Sequence, residues 1–111
     1  MSYPLTFYTN FAIPDGSAGC ARGPVIFIRP QYREDRGLYE HELVHVKQWF
    51  RTLSIHSFLY LLSDRYKLAC EVEAYRKQAE YSPQHRPLFA LFISRDYGLD
   101  ITHEAALGML A

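Results

Sequence analysis

The chain has 111 residues, and its 12 Lys and Arg balance 12 Asp and Glu, so the formal charge is zero. That length suits one compact domain with no room for a second, and nine Tyr with seven Phe can fill its core. Scattered, balanced charge excludes a nucleic-acid footprint or a basic membrane-binding face, while two cysteines, Cys20 and Cys70, exclude a disulfide scaffold and any CxxC finger and read as free thiols.

Met1-Ser2-Tyr3-Pro4 lacks the basic start and apolar stretch of a signal peptide. The longest apolar run, Phe58 to Leu62, is too short to span a bilayer. A cytoplasmic protein is therefore expected. Apolar Leu5, Phe7, Phe11 and Ile13 alternate along a predicted strand from Leu5 to Ile13, which Pro14-Asp15-Gly16 ends with turn chemistry. Small, glycine-rich Ser17 to Gly23 reads as a flexible loop. Val25 to Ile28 is a second strand, and Pro24 and Pro30 at its ends suggest an edge position. The mixed charges of Arg33-Glu34-Asp35-Arg36 suit a solvated turn.

A long helix is expected from near Asp35 to Thr52. At about 100° per residue, His41, His45, Gln48 and Thr52 form one polar stripe, and Tyr39, Leu43, Val46 and Phe50 the opposite, apolar one. Leu53 to Ser63 is read as an apolar connector, with a short helix as one form it can take, that fills the core, with His56 a satisfied core or surface histidine rather than a ligand. Asp64 suits the N-cap of a second long helix ending near Tyr81, before Ser82-Pro83. A third helix runs from Pro87 to Tyr97, with Gly98 suited to its end, and a short last one covers Ala105 to Leu110 behind Thr102. The expected fold class is α+β: a short β-hairpin or small sheet, then a mainly helical body.

His41-Glu42-Leu43-Val44-His45 is an HExxH sequence. Two histidines one helical turn apart can reach a single metal ion, and the glutamate between them can act on water without occupying a ligand position. A hydrolytic zinc needs a third protein ligand and one open position. The second helix offers Glu71 and Glu73, and its apolar stripe is Leu68, Val72, Tyr75 and Ala79. Glu71 lies about 70° from the centre of that stripe and Glu73 about 130°. A carboxylate on the shoulder of a buried face is costly unless paired or metal-bound, so Glu71 is the expected third ligand and Glu73 is expected to face water.

HExxH at His41–His45, with a glutamate on a second helix in Glu71-Val72-Glu73-Ala74 and a strand upstream at Val25 to Ile28, resembles the minimal single-domain gluzincin metallopeptidases. The resemblance covers about half the chain. It implies one Zn2+ per chain on His41, His45 and Glu71, with Glu42 as general base for a zinc-bound water, and a peptide or protein substrate. It also implies that the strand Val25 to Ile28 holds the substrate if it borders the cleft. The acid that often follows the ligand glutamate by four residues, orienting a histidine, is replaced here by Tyr75. Tyr81, His85, Arg86, Tyr97 and His103 are all candidates to stabilise the oxyanion. A Cys20 thiolate is a candidate to close the open zinc position. The metzincin pattern fails because position 51 is Arg51, the inverted zincin motif is absent, and the di-iron pattern lacks a second ExxH. Two alternatives remain: a zinc-binding protein without turnover that acts in interaction or assembly, and a metal-free helical domain.

Overall fold

β-Branched Val25, Ile26 and Ile28 form the best strand in the chain, and the sheet is built around it. In the computed structural model, which describes residues 5–52 and 55–111, strands β1 (Leu5–Tyr8), β2 (Gly19–Arg22) and β3 (Val25–Ile28) make a sheet of order β1-β3-β2. β1 runs parallel to β3, with Leu5 opposite Val25, and β2 runs antiparallel to it, with Cys20 opposite Phe27. The architecture is α+β, a small sheet followed by a mainly helical body, as expected.

Three expectations about the sheet are corrected. The first strand stops at Tyr8 rather than Ile13, because the chain turns away through Ala12, a non-glycine residue with φ of 67°. The supposed loop Ser17 to Gly23 contains β2. Its glycines serve close approach rather than flexibility: a Cβ on Gly19 would stand 2.8 Å from the Phe27 carbonyl oxygen. Gly23, with φ of 60°, turns the two-residue connection into β3 beneath the Trp49 ring. The third correction concerns β3, which is the central strand and not an edge. Pro24 and Pro30 lie just outside its paired residues and remove no ladder donor. The edge strands are β1 and β2.

Helix α1 (Arg36–Thr52) begins where expected, with the Asp35 carboxylate accepting from the Leu38 N–H at 3.0 Å. Leu38 and Val46 pack on Ile26 and Ile28 of β3, which are almost wholly buried, and Tyr39 and Leu43 lean on the same cluster. The apolar stripe runs off the sheet at its end, leaving Phe50 44% exposed. On its other side α1 packs against α3 (Asp64–Tyr81), so its polar stripe is covered, with His41, Glu42 and Gln48 all buried.

Within the connector, Leu53 and Ser54 lie outside the described residues. The rest forms helix α2 (His56–Leu62), and it is not core filler: Ile55, Phe58, Leu61 and Leu62 are 55–82% exposed. α2 lies against α3, and the chain then turns at Ser63. Ser63, not Asp64, caps α3, its side chain accepting from the Tyr66 N–H; Asp64 instead adds negative charge to the first turn. Helices α4 (Arg86–Asp96) and α5 (His103–Leu110) complete the body, and Thr102 caps α5 by accepting from the Ala105 N–H. Phe89, Ala90, Ile93, Ala106 and Leu110 bury themselves with Tyr75 and Ala79 of α3 in a second apolar cluster. That cluster shares no buried residue with the one under the sheet, and α1 and α3 pack together between them. Among the described residues, no helix is long and apolar enough to cross a membrane.

Candidate metal centre

A buried polar stripe must find partners, and that of α1 finds them on α3. His41 and His45, four residues apart, stand one turn apart on the covered face, their rings edge-on at 4.9 Å. Both turn Nε2 toward one oxygen of Glu71: His41 Nε2 is 3.7 Å and His45 Nε2 3.3 Å from Oε1. Glu71 is 2% exposed, and its other oxygen, Oε2, accepts a short hydrogen bond from the Tyr60 hydroxyl on α2. Glu73 lies at the outer margin of the contact between α1 and α3, with its side chain 45% exposed in an ion pair with Arg51. It is not simply directed at water, however, because it also accepts from Gln48 Nε2 at 2.9 Å.

Two polar atoms of this group are buried without a hydrogen-bond partner among the described residues, His41 Nδ1 and Glu71 Oε1. Glu71 Oε1 is the atom on which both imidazoles converge. Buried oxygens are rarely left unpaired, and a cation between the three side chains would satisfy this one. The ligand atoms of His41, His45 and Glu71 all lie within 4.8 Å of one another, a group that can hold a metal ion. Tetrahedral ligands about 2.1 Å from zinc stand roughly 3.4 Å apart, close to the separations from Glu71 Oε1. The residues therefore fit a metal ion.

Electrostatics separate the roles of the four groups. Burial pushes His41 down to about 3, helped by the His45 charge and opposed by Glu71 and Gln78, so its ring is neutral. Burial also works against charge on His45 and Glu71. Their mutual attraction outweighs it, holding His45 above the ordinary imidazole range and Glu71 below the carboxylate range. Burial pushes Glu42 up to about 7, opposed by His45 and reinforced by Glu71. Its carboxyl thus changes charge near neutrality, which suits a group that takes and returns a proton.

The centre opens into a cleft of about 510 Å3 bordered by Glu42, the β2 residues Gly19 to Arg22, Trp49, and His56, Tyr60 and Leu61 of α2. The strand along this cleft is therefore β2, in place of the expected Val25 to Ile28. Of the five expected oxyanion candidates, only Tyr97 borders the cleft, its hydroxyl 2.8 Å from that of Tyr75. Burial raises the Tyr97 phenol, so it stays protonated. Tyr81 lies under Arg36, His103 is bonded to the Pro87 carbonyl, and Arg86 and His85 are exposed. Tyr75 offers its ring rather than a charge to His41, at 4.4 Å. His56 is satisfied, its Nδ1 2.8 Å from the Tyr66 hydroxyl, and it stands outside the ligand group, as expected.

Cys20 borders the cleft, but its thiol donates to the Ala12 carbonyl at 3.4 Å, and burial followed by Glu42 holds it protonated. Cys70 is a buried free thiol pushed up to about 11. Sequence reasoning missed Tyr60 altogether, since nothing local marks a tyrosine in an apolar connector. It placed Gln48 in the polar stripe without a role, although the three-residue step from His45 was a usable signal. Compared with protein-family models, with curated proteins and with solved structures, the chain matches none.

Proposed function

We propose that this chain is a small zinc-dependent metallopeptidase of the gluzincin type, hydrolysing peptide bonds in a peptide or protein substrate. One observation carries the reading: two imidazole nitrogens converge on Glu71 Oε1, which has no hydrogen-bond partner among the described residues, with the carboxyl of Glu42 beside them at an open cleft. His41, His45 and Glu71 would hold one zinc, which supplies Lewis acidity toward water and the peptide carbonyl. Glu42, raised to about 7, takes the proton of the attacking water and delivers it to the departing nitrogen as the C–N bond breaks. Tyr97, held protonated, donates to the oxygen that gains charge in that step. The free edge of β2 holds the substrate backbone extended by main-chain pairing.

The test is metal analysis of untagged protein together with cleavage of a peptide library. One zinc per chain, with cleavage that Glu42→Gln abolishes while zinc is retained, supports the reading. Zinc without turnover supports the binding-only alternative instead, and protein that binds no zinc rules out both.

A further inference from the structure

We propose that Gln48 is a positioning residue that fixes which nitrogen of His45 faces the metal centre. Gln48 follows His45 by three residues on α1 and is 2% exposed. Its amide nitrogen donates to the Cys70 carbonyl at 3.0 Å and to Glu73 Oε1 at 2.9 Å. Both partners can only accept, a backbone carbonyl and an ionised carboxylate, so both amide hydrogens are consumed. The remaining amide atom, Oε1, stands 2.9 Å from His45 Nδ1 and can only accept in turn. A proton must therefore sit on Nδ1, which leaves Nε2 as the nitrogen presented to Glu71 and the centre. Flipping the amide would set its oxygen against two other acceptors, so the orientation is locked from the α3 side. Arg51 holds Glu73 in place with contacts of 3.2 and 3.5 Å. Arg51, Glu73, Gln48 and His45 thus form one line from the surface to a metal ligand. Partners that orient ligand imidazoles typically contribute tenfold to a hundredfold in metal affinity.

The consequence for zinc rests on the function proposed above; the orientation of the imidazole does not. In 15N-labelled protein, with or without zinc, the Nδ1–H of His45 should appear as a slowly exchanging proton resonance. Gln48→Met should remove that protection and weaken zinc binding by about tenfold to a hundredfold in competition with a chromogenic chelator. A parent His45 with no proton on Nδ1, or a Gln48→Met protein with unchanged resonance and affinity, overturns the assignment. A protected Nδ1–H in a parent protein that binds no zinc upholds the orientation and rejects the metal centre.

Discussion

Glu42→Gln should make the metal-free protein more stable at alkaline pH, the reverse of the usual effect of altering a buried polar residue. Glu42 is 5% exposed, and its carboxyl is raised from 4.5 to about 7. Between those values the folded protein keeps a proton that the unfolded chain has released. The associated stability is fully present below pH 4.5 and is lost as pH rises through 7. At 1.36 kcal/mol per pH unit, the interval leaves a deficit of up to about 3 kcal/mol near pH 8. An uncharged amide of the same shape removes it. Urea unfolding with chelator present, near pH 4 and near pH 8, measures the difference at each pH. The variant should gain up to about 3 kcal/mol more, relative to the parent, at the higher pH than at the lower. Zinc should shrink the gain, since a nearby cation favours the carboxylate. A difference independent of pH, or a variant less stable near pH 8, would refute a desolvated carboxyl at this position.

Chelation should lower the Tm of protein purified with its metal, because a bound ion favours the folded state by mass action; a melting curve indifferent to chelator and to added zinc counts against the centre. Glu71→Gln should weaken zinc binding by about tenfold to a hundredfold or more in a competition titration. Glu73→Gln keeps an acceptor for Gln48 and gives up only an exposed ion pair, so its stability should stay within about 0.5 kcal/mol of the parent and its zinc affinity unchanged. Cys20→Ser should leave peptidase activity unaltered, as the thiol is bonded to Ala12 and held protonated; increased activity would show that Cys20 silences the site.

What was legible in the sequence was local. The i, i+4 spacing of His41 and His45 put both rings on one face whatever packed there. Asp35, Ser82 and Thr102 marked helix ends through short-range hydrogen bonding and steric rules. The phase of Leu68, Val72, Tyr75 and Ala79 was enough to separate Glu71 from Glu73. Features that depend on distant partners were not legible. Gly19 looks like a flexible loop residue until the Phe27 carbonyl stands against it. β3 acquires its central place only through β1 and β2 on either side, which no property of Val25 to Ile28 announces. Apolar α2 was read as core, yet Phe58, Leu61 and Leu62 are exposed while Tyr60 reaches inward to Glu71. Burial there is decided by how α2 lies across α3, and a seven-residue helix carries too little pattern to reveal it.

The separation of the two apolar clusters has a consequence for cooperativity. Ile26, Ile28, Leu38 and Val46 form one unit and Tyr75, Phe89, Ile93 and Leu110 belong to another. The seam between α1 and α3 carries His41, His45, Gln48, Glu71 and Glu73, joined by directional polar contacts. Polar seams resist separation only while each contact keeps its geometry, whereas a shared apolar core tolerates small slips. The sheet half and the helical half thus meet across a face in which the side chains of the site carry much of the polar contact. An ion bound there would act on the whole fold as a rivet, tying the helix that lies on the sheet to the helix that carries the second cluster.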